Sequence, residues 1–228
     1  MALEGRGAAL GGRFRALLGE KVAVLLGLTV GICVPYFALQ RIELFPRHAP
    51  RITGLDAAVP FDPAWIWPYV SIALLVPLMP LLSTSREQLT RYARGLTLLC
   101  LACFAAFLLL PVDGPRPALV PAEGLYGLIV SYDRPSNSLP SLHVGLATYS
   151  LLYGYRVLEA GLGTRGRLAY LAVAALWGGA ILYSTLATKQ HWLMDLPGAV
   201  LLACGAHALA WRGARRARGR EGVALSAG

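Results

Sequence analysis

Two histidines and one aspartate carry the chemistry this chain could do. His191 and Asp195 stand four residues apart, so on a helix they share one face. A carboxylate placed there can hold one imidazole nitrogen and leave the other aimed at a substrate. A neutral imidazole oriented in that way is a nucleophile or a base. The second histidine, His143, follows Pro140-Ser141. That dipeptide reads as a helix start with Ser141 as N-cap and unpaired amides behind it. Free amides at a helix N-terminus bind phosphate, and His143 then lies beside whatever they hold. Arg116, Arg134 and Lys189 are cations that could complete a phosphoryl site, and Asn137 lies in the same polar stretch. The two histidines and Asp195 could also ligate zinc. A cationic surround repels a metal ion and suits an anion, so neither a metal nor another cofactor is expected.

The elements that position these residues follow from composition. Of the 228 residues 56% are apolar and only 14% are charged, which excludes a disordered chain and an ordinary water-soluble enzyme. Stretches without Asp, Glu, Lys or Arg lie between Lys21 and Arg41, Asp62 and Arg86, Arg94 and Asp113, Arg134 and Arg156, Arg167 and Lys189, and Asp195 and Arg212. A helix needs about 20 apolar residues to cross a bilayer. In lipid only a helix satisfies its own backbone as a single segment. The expectation is an all-α, polytopic membrane protein: a six-transmembrane-helix bundle over 21–212, with tails at 1–20 and 213–228. The first apolar stretch is too long for a signal-peptide core and reads as a retained span.

The net charge of +9 is clustered. Basic residues gather in the N-terminal tail, at Arg86–Arg94, at Arg156–Arg167 and in the C-terminal tail. With six spans these four regions share one side, and the positive-inside rule makes that side the cytoplasm. The charge is therefore a topology signal, and no nucleic-acid partner is expected. Both termini should be cytoplasmic, with His143 and His191 at the extracytoplasmic face of a bacterial inner membrane.

The connection 113–140 is Pro- and Gly-rich and holds one apolar piece, Leu125–Val130, too short to span. It predicts a half-buried or interfacial helix in a functional loop. Cys33, Cys100, Cys103 and Cys204 fall within apolar stretches and read as small apolar residues.

Pro140-Ser141-Leu142-His143, and Ser184 followed by His191 and Asp195, resemble two signature motifs of the type 2 phosphatidic acid phosphatase superfamily. The core of the likeness spans about residues 95–205. Leu142 stands where the phosphatases usually have Gly. Pro-Ser-Leu-His, with Asp113-Gly114-Pro115-Arg116-Pro117, is more similar to the inositol phosphorylceramide synthase and sphingomyelin synthase branch. The resemblance implies that His191 forms a phosphohistidine, that Asp195 orients it and that His143 protonates the leaving alcohol. It also implies that Ser141, the amide of Leu142 and Arg116 hold phosphate oxygens. Leu109 and Thr185 stand where the phosphatases carry Lys and Arg. Lys189 and Arg134 are the candidate replacements.

These observations together predict a lipid phosphotransferase that takes a phospholipid or lipid phosphate and passes its group to an alcohol acceptor or water. A lipid phosphate or polyprenyl pyrophosphate phosphatase is the competing enzyme. A lipid transporter or scramblase is the competing class, but its path would need polar groups through the membrane depth.

Overall fold

The computed structural model describes residues 11–117 and 123–226, with side chains up to Arg212. Arg6, the side chains of the C-terminal basic run and residues 118–122 lie outside the described residues. All the regular elements among the described residues are helices. The one β-type pairing among these residues is an isolated bridge between His48 and Val112.

Helix α1 (Leu18–Leu39) is an apolar run that buries only Lys21, whose ammonium donates to the carbonyls of Arg13 and Leu81. A short helix α2 (Gly54–Ala58) follows in the first connection, capped by Thr53. The next stretch, Pro63–Leu81, starts with Pro63 in the first turn and Asp62 accepting from the Ala64 amide. It comprises α3 (Ile66–Val70) and α4 (Ile72–Leu81), joined at Ser71, where the turn tightens: the Ser71 amide is shared between Trp67 O and Pro68 O, and its carbonyl accepts from both Leu74 and Leu75. Helix α5 (Arg86–Leu109) is capped by Ser85, and α6 (Gly124–Tyr132) is the half-buried helix that the short apolar piece predicts. Helix α7 (Leu142–Leu158) begins at the expected cap: the Ser141 hydroxyl accepts from the Val144 amide at 3.3 Å. Helices α8 (Thr164–Ala187) and α9 (Asp195–Ser226) complete the bundle.

Apolar side chains cover the outside of the bundle as well as filling its core. Leu26, Val30, Leu101, Leu176 and Leu201 point outward, while Tyr92, Tyr149, Tyr153 and Ser150 are fully enclosed. Outward apolar side chains on this scale need an apolar surround. Among the described residues, four helical stretches are long and apolar enough to cross a membrane: Leu18–Leu39, Pro63–Leu81, Arg86–Leu109 and Thr164–Ala187. Helix α7 has 17 residues, and its inward Tyr and Ser side chains lower its hydropathy. It packs mainly on α9, α8 and α4.

The basic regions meet at one end of the bundle. Arg86 pairs with Glu20 at 2.6 Å, and Arg91 and Arg156 both lie over the ring of Trp211. The residues singled out for chemistry gather at the other end, where α8 ends and α7 and α9 begin.

Candidate active site

Three segments build the site: 112–117, 133–143 and 187–195. The first enters as extended chain. The amides of Gly114 and Ser138 donate to Pro135 O at 2.6 Å and Val112 O at 3.1 Å, tying it to the second segment. A Cβ on Gly114 would lie 2.6 Å from the carbonyl of Gln190, so only glycine fits between these two strips of backbone.

The third segment reverses direction sharply. The amides of Gln190 and His191 both donate to Thr185 O, at 3.0 and 3.1 Å, and Lys189 takes a left-handed backbone, φ 51°. His191 therefore precedes helix α9 instead of riding on it. The pairing with Asp195 forms through a turn, because the Asp195 carboxylate takes the Trp192 amide at 2.9 Å and holds the chain short of helix.

His191 is 7% exposed and Asp195 is fully buried. Nδ1 of His191 lies 3.0 Å from the carbonyl oxygen of Ser138 and 3.3 Å from Oδ2 of Asp195. A carbonyl can only accept, so Nδ1 donates to it, and in the neutral ring Nε2 keeps its lone pair. Oδ2 of Asp195 also accepts from the Ser138 hydroxyl. The Ser141 amide donates to Asp195 O at 3.1 Å, which joins the start of α7 to the start of α9. His143 lies one residue past the first position of α7, half-buried, with its ring stacked on Tyr69 at 3.9 Å between centroids.

A cavity of about 400 Å³ opens beside His191. Arg116, Lys189 and Asp56 supply its charge, and Ile52, Phe61, Leu186 and Trp192 are among its apolar walls. The Arg116 guanidinium is held by Gln190 Oε1 and by Asp133 O at 3.0 Å. The Lys189 side chain lines the cavity, and its ammonium donates to Asp56 O at 3.1 Å and Val59 O at 2.5 Å. The first connection thus straps onto the His191 turn, and the Leu193 amide adds a bond to Asp56 Oδ1 at 2.8 Å. Burial by itself would raise the Asp56 carboxyl. The hydrogen bonds from Thr53 and Leu193 and the Lys189 charge outweigh it and hold the group below its ordinary value.

The structure thus brings His191, Asp195, Ser141, Leu142, Arg116 and Lys189 to one end, with His143 close by. Of the candidates, His191, Arg116 and Lys189 line the cavity; Asp195, Ser141, Leu142, His143, Arg134 and Asn137 do not. Arg134 is exposed, and the Asn137 amide donates to Tyr36 O on α1 at 3.3 Å. Leu109 is exposed, and the Thr185 hydroxyl bonds back to Leu182 O. Among the described residues, no three His, Cys, Asp or Glu side chains group closely enough to hold a metal ion. Sequence reasoning missed Ser138, Asp56 and Tyr69, and gave Gln190 no role beyond its place in the polar connection before His191. Ser138 had one signal, its place in the polar run before Pro140.

No curated protein and no solved structure is significantly similar to this chain. The model of one family, described as the PAP2 superfamily, matches residues 92–218, a range that holds most of α5, all of α6, α7 and α8, and the site residues from Gly114 to Asp195, but neither Tyr69 nor the strap from the first connection. The chain belongs to the PAP2 superfamily of phosphatases and phosphotransferases, membrane enzymes that act on lipid phosphates, and is itself an enzyme of the lipid phosphatase type.

Proposed function

We propose that this enzyme is a lipid phosphotransferase working through a phosphohistidine on His191 at the extracytoplasmic face. One observation carries the reading. The Ser138 carbonyl takes the Nδ1 proton of His191, which leaves Nε2 as a nucleophile on a cavity that Arg116 also lines.

In the first half-reaction Nε2 attacks phosphorus, the bond from phosphorus to the lipid oxygen breaks, and His143 gives its proton to that oxygen. Arg116, the Leu142 amide and the Ser141 hydroxyl offset charge on the phosphoryl oxygens, and Lys189 adds its field from the wall. Asp195 balances the cationic ring of the phosphorylated His191. In the second half an acceptor hydroxyl gives its proton to His143, its oxygen attacks phosphorus, and His191 leaves. Arg134 and Asn137 have no part in this reading.

The walls favour a lipid alcohol as acceptor. Ile52, Phe61, Leu186 and Trp192 offer few partners to water and good contact to an acyl or prenyl chain. A held acceptor also gains a large effective concentration over free solvent.

The reading carries a six-span topology with both termini in the cytoplasm. The meeting of the basic regions at the end opposite the cavity supports it. At 1.5 Å per residue α7 is about 25 Å long, short of a full bilayer core by one turn or so. As an inner helix it can start below the membrane surface, under the polar loop.

The test is purified protein with a labelled phospholipid or lipid phosphate donor, with and without diacylglycerol. A new labelled phospholipid that requires diacylglycerol is the expected product. Release of free phosphate alone, whatever acceptor is present, makes the enzyme a hydrolase.

A further inference from the structure

We propose that Ser138 is a positioning residue for the reacting histidine, acting through Asp195 with its hydroxyl and on His191 with its carbonyl. The inference rests on the reading of His191 as nucleophile.

Ser138 is 2% exposed, and its backbone is pinned by the amide bond to Val112 O. Its carbonyl oxygen faces His191 alone, while its hydroxyl donates to Asp195 and lies at the longer distance of 3.5 Å from Nδ1 of His191. The carbonyl oxygen accepts from Nδ1 of His191 at 3.0 Å, nearer than the carboxylate at 3.3 Å. The hydroxyl donates to Oδ2 of Asp195, the same oxygen that faces the ring. Oδ2 therefore receives the Ser138 hydroxyl and the Trp192 amide as well as the imidazole, while Oδ1 has no partner among the described residues.

This arrangement has a mechanical consequence. A carboxylate with one bonded and one unbonded oxygen can rotate to exchange them. The Ser138 hydroxyl and the Trp192 amide both hold Oδ2 toward His191, and the hydroxyl is the one that a side-chain substitution can remove. The carbonyl fixes the ring from a second direction. With two acceptors on Nδ1, the ring plane is set before substrate arrives. When Nε2 takes the phosphoryl group and the ring becomes cationic, Asp195 is already in place to balance it. Substrate phosphate is held elsewhere, by Arg116 and the start of α7. Loss of the Ser138 hydroxyl should therefore act on the chemical step and spare binding.

Ser138→Ala removes the hydroxyl and leaves the carbonyl; Ser138→Thr keeps both. With phosphatidic acid in detergent micelles as probe, Ser138→Ala should lower kcat by about tenfold, the scale of one hydrogen bond to a charged group, with KM within about twofold. Ser138→Thr should restore most of that loss. In an Asp195→Asn background the same Ser138→Ala change should cost less than about twofold more, because the hydroxyl acts through a carboxylate that is gone. A full tenfold loss in that background would make Ser138 independent of Asp195 and overturn the proposal. So would a raised KM with unchanged kcat, or a Ser138→Thr enzyme no better than Ser138→Ala. Thermal unfolding of each variant separates misfolding from these outcomes. Failure of the parent reading has its own sign: activity that survives His191→Ala removes the nucleophile and this inference together.

Discussion

The phenol ring of Tyr69 lies flat against the imidazole of His143, with centroids 3.9 Å apart and 18° between planes. The contact fixes the ring by its face and uses neither nitrogen. Neither nitrogen of His143 makes another bond among the described residues, so both are free to move a proton. Tyr69→Phe keeps the stack and should leave kcat within about twofold, whereas Tyr69→Leu should lower it roughly threefold to tenfold, the worth of an aromatic pair. His143→Ala removes the proton donor itself and should cost about 10²–10⁴-fold. Equal kcat for the Leu and Phe variants would show that stacking does not orient His143.

Trapping the phosphoenzyme separates the two members of the His191 pair. His191→Ala should abolish acid-labile labelling from a ³²P-lipid phosphate. Asp195→Asn should keep it and lose less than the about 10⁴-fold seen when the analogous Asp of a Ser-His-Asp triad is changed, where the wrong tautomer results. Here the Ser138 carbonyl still demands the Nδ1 proton. Label that persists in His191→Ala and vanishes in His143→Ala would exchange the roles of the histidines.

Gly114 tests how tightly the Arg116 segment must lie against the His191 turn. An Ala Cβ would meet Gln190 O at 2.6 Å, backbone against side chain, and neither strip can move alone. Gln190 also holds Arg116 through its side chain, so the shift reaches the phosphate site. Gly114→Ala should lower kcat/KM by tenfold or more, on the order of the cost of small misplacements at reacting groups. An unchanged kcat/KM would mean that the segment slides without consequence.

The strap from the first connection has a pH signature. Its carboxyl, Asp56, is held below the ordinary value of 3.8, so it contributes stability above that value and loses it as pH falls further. Wild-type KM should therefore stay flat through the strap's contribution from neutral pH down to about 4. Asp56→Asn weakens the bond to the Leu193 amide at every pH and should raise KM severalfold without changing the acid limb of kcat. If instead KM in the wild type climbs between pH 7 and 5 and Asp56→Asn removes that climb, the carboxyl titrates on the other side of its ordinary value.

What could be read in the chain was local. The cap at Ser141, the short helix around Leu125–Val130 and the closeness of His191 to Asp195 each follow from residues within a few positions of one another. The all-helical fold follows from the charge-free stretches, because lipid leaves the backbone no other partner. The contacts that were not legible close long loops. Tyr69 meets His143, Lys189 meets Asp56, and Ser138 meets Asp195 only once the bundle has formed, and no spacing in the sequence encodes such meetings. The turn at His191 was misjudged for a related reason. An i, i+4 pair fits a helix, but the Asp195 carboxylate takes the Trp192 amide and holds the turn open.

Side of the membrane is the last expectation, and it can be measured without any substrate. Cys33 and Cys204 are exposed in the bundle and would be replaced by Ala, while Cys100 and Cys103 are enclosed. Single cysteines would then be placed at Ser131, at the exposed end of α6 near the cavity, and at Glu87, 72% exposed at the basic end. The positive-inside rule puts Glu87 in the cytoplasm and Ser131 outside. A membrane-impermeant maleimide added to intact cells should label Ser131→Cys at once and Glu87→Cys only after permeabilisation. Labelling of Glu87→Cys alone in intact cells would turn the protein over and put the His191 cavity on the cytoplasmic side. Labelling of both would mean that α5 does not cross the membrane between them. In the first case the lipid donor would have to be sought in the other leaflet.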